Sequence, residues 1–266
     1  MVPQVTTLED LTFLYEEYNK ETGRFHTTFA LFDKDDFAYF GSLDLPKRDI
    51  NLKQLAFALT LVPDEHLFPG WTHSGVGLTK APETLPSNIY VKRPNITMYD
   101  VFQEHNVLDL IPKGLLEEAK VMDKLSQHSH SHIIRYHGCY VRRGRIVGLV
   151  LDRHSDTLAG YLKNKVGSMD KKRFMQALES AIRHLHSLNW AHNDLNPDNI
   201  LVDEAGMPVL IDFGSAREIG AELGASRGTK GWIDGEMKDY HTSDSGHDFF
   251  ALEKIRTWLD SPTFDD

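Results

Sequence analysis

One cysteine, Cys139, stands in a chain of 266 residues. An intramolecular disulfide is therefore excluded, and a reducing compartment is the simple reading: the cytoplasm, with the nucleus as the alternative. Long apolar runs are also missing. No stretch approaches the roughly 20 residues that span a bilayer. The start, Met1-Val-Pro-Gln-Val-Thr-Thr-Leu-Glu-Asp10, has no basic segment followed by an apolar one. Neither a membrane partner nor a signal peptide is expected. Cations are in deficit: 29 Lys and Arg against 39 Asp and Glu leave a net charge of −10. That balance argues against nucleic acid or an anionic membrane face as a general partner. The sequon Asn95-Ile96-Thr97 carries no meaning in a cytosolic chain.

What remains is ordinary soluble-protein composition, 41% hydrophobic and 26% charged, with enough length to bury a core. Residues 8–18 space their apolar groups as a helix does. Thr27–Phe32 and Phe37–Phe40 flank Asp33-Lys34-Asp35-Asp36 and predict a β-hairpin. Residues 52–62 fit either a helix or a buried strand, and Pro69-Gly70 with the Pro- and Gly-bearing stretch 75–87 predicts loop. Asn88–Arg93 predicts a short strand closed by Pro94. Residues 115–125 predict an amphipathic helix with Leu115, Ala119, Met122 and Leu125 on one side. Residues 132–136 and 145–151 predict strands around an Arg142-Arg143-Gly144 turn. Lys171–Leu188 carries a helical stripe of Phe174, Met175, Leu178, Ile182, Leu185 and Leu188. A hairpin is expected for 200–202 and 209–211 around Asp203–Gly206, and a last helix over 248–259. Strands with one helix precede a mostly helical part. That segregation predicts an α+β protein of two lobes with a cleft between them.

The chemistry concentrates in His192-Asn-Asp-Leu-Asn-Pro-Asp-Asn199 and, thirteen residues on, Asp212-Phe213-Gly214. Two carboxylates and an amide at this spacing suit Mg²⁺ binding and orientation of a hydroxyl for phosphoryl transfer. Such transfer needs positioning and cancellation of phosphate charge more than covalent chemistry. Asp194 is the candidate for the group that orients the nucleophile and accepts its proton. The short hairpin returns Asp212 to the end where Asn199 lies, so that both can share a metal. The competing account makes Asn193, Asp194, Asn196, Asp198 and Asn199 turn residues that cap backbone groups.

These two segments resemble the catalytic loop and the metal-binding Asp-Phe-Gly of protein kinases. The resemblance implies a bilobal kinase-like fold, β-rich in its N-lobe and helical in a C-lobe shortened after the Asp248 helix. Its expected division is 1–75 as an N-terminal extension, 76–152 as N-lobe and 153–266 as C-lobe. The implied function is ATP- and Mg²⁺-dependent phosphoryl transfer to protein serine or threonine hydroxyls. ATP and a protein substrate or binding partner follow as partners. Lys92, ending Ile89-Tyr-Val-Lys, matches the lysine that meets the α/β-phosphates, and Glu118 matches its helical partner. Leu151-Asp152-Arg153-His154 is similar to the hinge at the adenine edge, with Leu151 as gatekeeper and Asp152 and His154 as cofactor-binding candidates. Asn199 and Asp212 match the metal ligands. Gly228–Glu236 is similar to the end of an activation segment, and Asp248 to the aspartate that anchors the catalytic loop.

Departures from the family open two alternatives. Only Gly75-Val76-Gly77 precedes Lys92 as a glycine loop, and Pro82 and Pro86 disfavour a strand there. Tyr90 stands in place of an alanine. Asn193 replaces an arginine that meets phosphorylated activation segments, and Asn196 replaces a lysine near the transferring phosphate. A pseudokinase interaction module is one alternative. A small-molecule kinase of the aminoglycoside or choline type, which shares the loop and often lacks that lysine, is the other. Elsewhere, His128, His130 and His132 alternate as a metal cluster would, without a cysteine or carboxylate to join them. His184 and His186 read as ordinary helix histidines, and Ser215, Ser226 and Thr229 as candidate phosphorylation sites.

Overall fold

Residues 8–18 are not a helix. A short 3-10 turn, Leu8–Asp10, leads into the strand β1 (Phe13–Asn19), which pairs antiparallel with β2 (Arg24–Phe32) from Phe13↔Ala30 to Asn19↔Arg24. Apolar groups so closely spaced satisfy either period, and the long partner strand decides between them. The computed structural model describes residues 3–71, 77–224 and 227–264. Gly75, Val76 and Ser226 lie outside the described residues.

β2 continues into β3 (Ala38–Leu43) through the expected hairpin. Asp33 Oδ1 accepts the N–H groups of Asp35 and Phe37, each at 2.9 Å, and Asp36 adopts φ +65°. Such Asx turns tolerate the left-handed conformation. The ambiguous stretch 52–62 becomes both of its options: α1 (Leu52–Ala58), capped reciprocally by Asn51 and Gln54, then β4 (Thr60–Leu61), paired with β3.

Two compact units divide the chain. The first draws on segments 1–77, 92–116 and 139–148. In its four-stranded sheet, ordered β1-β2-β3-β4, the inner strands β2 and β3 pack on both faces, whereas β1 and β4 are largely exposed. Phe29, Leu31 and Tyr39 pack with Leu55 and Leu59 on one side. Ala30 and Phe40 pack on the other with Leu67 of α2 (Asp64–Leu67), Tyr99 of α3 (Tyr99–Glu104), Ile111 and Val147. Residues at odd and even positions of β2 thus serve opposite cores, which explains its unbroken apolar run.

The second unit draws on 78–91, 117–138 and 149–266. α4 (Leu110–Ser126) begins five residues before the expected helix, because Pro112 is tolerated in a first turn. β5 (Ile89–Lys92), β6 (Tyr136–Arg142) and β7 (Arg145–Asp152), whose residues are divided between the segments of the two units, form a sheet ordered β5-β7-β6. β6 starts at Tyr136, four residues later than expected. Residues 132–134 bond instead to Leu210, by an Ile134 N–H at 3.0 Å and a His132 carbonyl at 2.9 Å. α5 (Leu158–Lys163) follows β8 (Asp156–Thr157). α6 (Lys171–Ser187) forms as expected, capped by Asp170, with Phe174, Leu178, Ile182 and Leu185 fully buried. β9 (Trp190–Ala191) pairs with β12 (Arg217–Glu218), and β10 (Ile200–Val202) pairs with both β8 and β11 (Pro208–Leu210). α7 (Ser245–Trp258) starts at Asp244, whose carboxylate caps Gly246 N–H at 2.6 Å. Asp248 therefore lies inside the helix and does not open it. No described helix is long and apolar enough to cross a membrane.

Candidate active site

Asn196 shapes the catalytic loop. Its Oδ1 accepts the N–H groups of Asp198 (2.9 Å) and Asn199 (3.1 Å), closing the 3-10 turn Pro197–Asn199, with Pro197 at the first position. The capping account thus holds for Asn196. It does not exhaust that residue, whose Nδ2 reaches Asp194 Oδ1 at 3.2 Å and Thr229 Oγ1 at 3.1 Å.

From Asn199 the chain enters the β10–β11 hairpin. Asp203 Oδ1 closes its turn on Ala205 and Met207 N–H, and Gly206 takes φ +71°. Ile211 N–H then donates to the Asn199 carbonyl at 3.0 Å, returning Asp212 to the level of Asn199. Asp212 itself is left-handed, φ +60° and ψ 77°, and its Oδ1 accepts Gly214 N–H at 3.3 Å. Phe213 is fully buried, edge-on to His192 at 5.2 Å between ring centroids. Its N–H donates to Glu118 Oε1 at 3.2 Å, so Glu118 of α4 meets the Asp-Phe-Gly turn directly.

Asp194 is surrounded by donors. Thr229 Oγ1–H donates to Oδ1 at 2.6 Å, joined there by Asn196 Nδ2, and Asn199 Nδ2 donates to Oδ2 at 3.2 Å and to the Asp194 carbonyl at 2.8 Å. Burial holds the Asp194 carboxyl above the usual carboxylate range. The Thr229 and Asn196 hydrogen bonds work the other way, and the Asp212 carboxylate adds to the rise. His192 presents Nδ1 to Asp194 N–H at 3.3 Å and Nε2–H to the Ile211 carbonyl at 2.9 Å, a pattern that assigns the neutral Nε2–H tautomer.

Asp248, with no exposed surface, accepts three hydrogen bonds. His192 N–H and Asn193 N–H each donate at 2.8 Å, and His186 Nε2–H at 2.9 Å. A buried carboxylate needs such partners. His186 is a partly buried helix histidine, as the sequence suggests, and it also anchors Asp248. His184 meets the His128 carbonyl at 2.6 Å, and its ring lies 5.1 Å from that of His130.

Of the other candidates, Lys92 ends β5 and begins the first unit's 92–116 segment, whereas Glu118 belongs to the second unit. Leu151 is buried in β7. Asp152 pairs through Oδ1 with His137 Nε2 at 2.6 Å, and His154 lines two surface cavities of about 670 and 680 Å³. Among the described residues no group of three His, Cys, Asp or Glu side chains can hold a metal, the His128–His132 run included. The oxygen donors that fit a cation are the Asp212 carboxylate and the Asn199 amide. Asn199 commits its Nδ2 to Asp194, so Oδ1 is the atom it can offer. Hard oxygen donors few in number suit Mg²⁺ when phosphate oxygens and water complete its shell. The residues sequence reasoning missed as site members, Thr229 and His186, lie far along the chain from their partners and carry no local signal.

The family model described as protein kinase domain matches residues 94–256. A serine/threonine-protein kinase/endoribonuclease of Hypocrea jecorina is 31% identical over 164 residues, covering 54% of this chain and 12% of that protein. A probable serine/threonine-protein kinase of Dictyostelium discoideum is 27% identical over 170 residues, covering 62% of this chain and 37% of that protein. A death-associated protein kinase of Caenorhabditis elegans is 28% identical over 147 residues, covering 53% and 10%. The chain thus spans well under half the length of these relatives. Since the family model covers more than half of the chain, and the loop, hairpin and Asp-Phe-Gly turn fall inside it, the chain belongs to the protein kinase domain family.

Proposed function

We propose that this chain transfers the γ-phosphoryl group of ATP, with Mg²⁺, to serine or threonine hydroxyls of proteins. The observation that carries the reading is the Thr229 hydroxyl on Asp194 Oδ1 at 2.6 Å: an aliphatic hydroxyl already bonds to the candidate base at the distance proton acceptance needs. Asp194 orients the incoming hydroxyl and takes its proton as the oxygen attacks phosphorus. Its raised pKa strengthens it as a base. Asn199 and Asp212 hold the metal. Lys92 is the proposed contact of the α/β-phosphates, and Asp152 and His154, with Leu151, are the proposed adenine edge. Bound Mg·ATP would supply the transferred phosphoryl group and neutralise its charge. Residues 76–152 and 153–266 are assigned as the two lobes. Residues 1–75 are an extension that packs with 92–116 and 139–148. The cytosol is the proposed compartment, and an unidentified protein the substrate.

A second reading, a pseudokinase that binds partners without turnover, takes the same Thr229–Asp194 bond, with its neighbours, the opposite way. All the donors described around the Asp194 carboxylate belong to the chain itself, Thr229, Asn196 and Asn199, and a substrate must compete with them. β5 is also an outer strand of its sheet among the described residues.

Melting temperature with and without Mg·ATP, for wild type and Asp212→Asn, separates the two. Ligand at about 100 times its Kd stabilises by about 2.7 kcal/mol. A Mg²⁺-dependent shift lost in Asp212→Asn, followed by transfer that falls about 10²- to 10⁴-fold in Asp194→Asn, supports the kinase reading. No shift at millimolar ATP sinks it.

A further inference from the structure

We infer that Asn193 is a positioning residue for Asp194, acting through its side chain, which locks the catalytic loop to the chain segments on either side of it in space. The inference rests on Asp194 being the base of the proposed transfer.

Asn193 is 2% exposed and has φ +63°. Its Nδ2 donates to the Ala191 carbonyl at 3.0 Å, to Ser243 Oγ at 3.0 Å and to the Ser215 carbonyl at 3.3 Å. Its Oδ1 accepts His247 Nδ1–H at 3.1 Å and Asp244 N–H at 3.4 Å. Both ends of the amide are committed, and the partners come from the loop itself, the stretch after Asp-Phe-Gly, and the start of α7. The network continues outward. Ser243 Oγ–H donates to the Arg217 carbonyl at 3.2 Å. The Arg217 guanidinium donates to Glu117 Oε2 at 2.6 Å, one residue before the Glu118 that holds Phe213 N–H. The backbone is held from the other side as well. Gly228, at φ +87°, packs so close that an added Cβ would lie 3.2 Å from the Asn193 carbonyl, and Thr229 follows with its hydroxyl on Asp194.

A simpler account is that Asn is present because it tolerates a left-handed backbone, as Asn106 and Asn189 do after helices. Glycine separates the two. It adopts φ +63° without strain and has no side chain, so the simpler account makes Asn193→Gly silent. A buried amide with both ends bonded leaves its partners unsatisfied when removed, which makes the variant costly.

The experiment uses the full chain as wild type and Asn193→Gly, and reads amide hydrogen exchange together with transfer to casein. Exchange at 191–194 and 243–247 is expected to accelerate together by about 10-fold or more, with the 200–210 hairpin unchanged. kcat is expected to fall about 10- to 100-fold with KM for Mg·ATP within about twofold, because nucleotide contacts stay and only the base is misplaced. Wild-type exchange in Asn193→Gly overturns the lock. Faster exchange with unchanged kcat, or a rise in KM alone, overturns the positioning role. If the wild type transfers no phosphate, the transfer reading fails. The exchange arm then decides the lock by itself, and the positioning role falls with the transfer. If Asn193→Gly does not fold, Ser243→Ala at the far end of the amide is expected to give the same pattern, with about 3- to 10-fold faster exchange at 191–194. Unchanged exchange there overturns the inference.

Discussion

The Thr229 hydroxyl and the Asp194 carboxylate, 35 positions apart in sequence, meet at 2.6 Å. The hydroxyl stabilises the ionised form of a carboxylate that burial pushes toward protonation. Thr229→Val removes the donor at nearly constant volume. The acidic limb of the kcat/KM profile is expected to move to higher pH in Thr229→Val and to stay in place in Thr229→Ser. Coincident limbs for all three proteins would show that the hydrogen bond does not tune the base.

Burial of Asp194 also has a stability consequence. Its folded-state pKa is raised, so the folded chain binds a proton more tightly than the unfolded chain. The associated stability is present below the unfolded pKa and is lost as pH rises through the folded value. Asp194→Asn removes this dependence. The melting temperature of Asp194→Asn minus that of wild type is expected to become more positive as pH rises from the ordinary carboxylate range through the raised folded-state value. A difference that stays flat, or falls, contradicts the raised pKa.

Asp248 satisfies two backbone N–H groups and His186 from a fully buried position. Asp248→Ala leaves these donors without their acceptor and is expected to destabilise by about 3–5 kcal/mol. Asp248→Asn keeps the shape and one acceptor and should cost about half as much. Denaturant unfolding measures both. An alanine variant within about 1 kcal/mol of wild type would mean that water replaces the carboxylate.

In the first unit, Arg143 forks onto Asp64 at 2.8 and 3.0 Å and donates to the Asp35 and Asp36 carbonyls. Its guanidinium lies 3.9 Å from the Phe37 ring centroid. One side chain thereby ties the β2–β3 turn to α2. Arg143→Ala is expected to cost about 2–3 kcal/mol. Arg143→Lys should recover less than half of that, since an ammonium cannot reproduce the planar fork or the stack. Full recovery by lysine would reduce the contact to simple charge.

Local chemistry was legible wherever its partners lie close in sequence. The Asp33 turn, the Asn196 cap with Pro197, the Asp203 turn and the stripe of α6 all form within a few residues, and each appears where its residues place it. The sequence over 13–19 leaves helix and strand open because Leu11, Phe13, Leu14, Tyr15 and Tyr18 satisfy two periods at once, and only pairing with β2 selects one. The start of α7 was set by the Asp244 cap and not by the aspartate that faces the loop.

The sequence by itself determined the residue types of the candidate site, their order and the turns that present them, because hydrogen bonds between near neighbours act in any context. Tertiary structure decided which distant groups complete it: Thr229 on Asp194, His186 on Asp248, and Ser243 and His247 on Asn193. These contacts span 35 or more positions of chain, and a single Ser, Thr or His carries no periodic signal for a partner that far away. Their geometry follows from the packing of α6, α7 and the β10–β11 hairpin, where each buried polar atom must find its bond inside the protein because water is excluded.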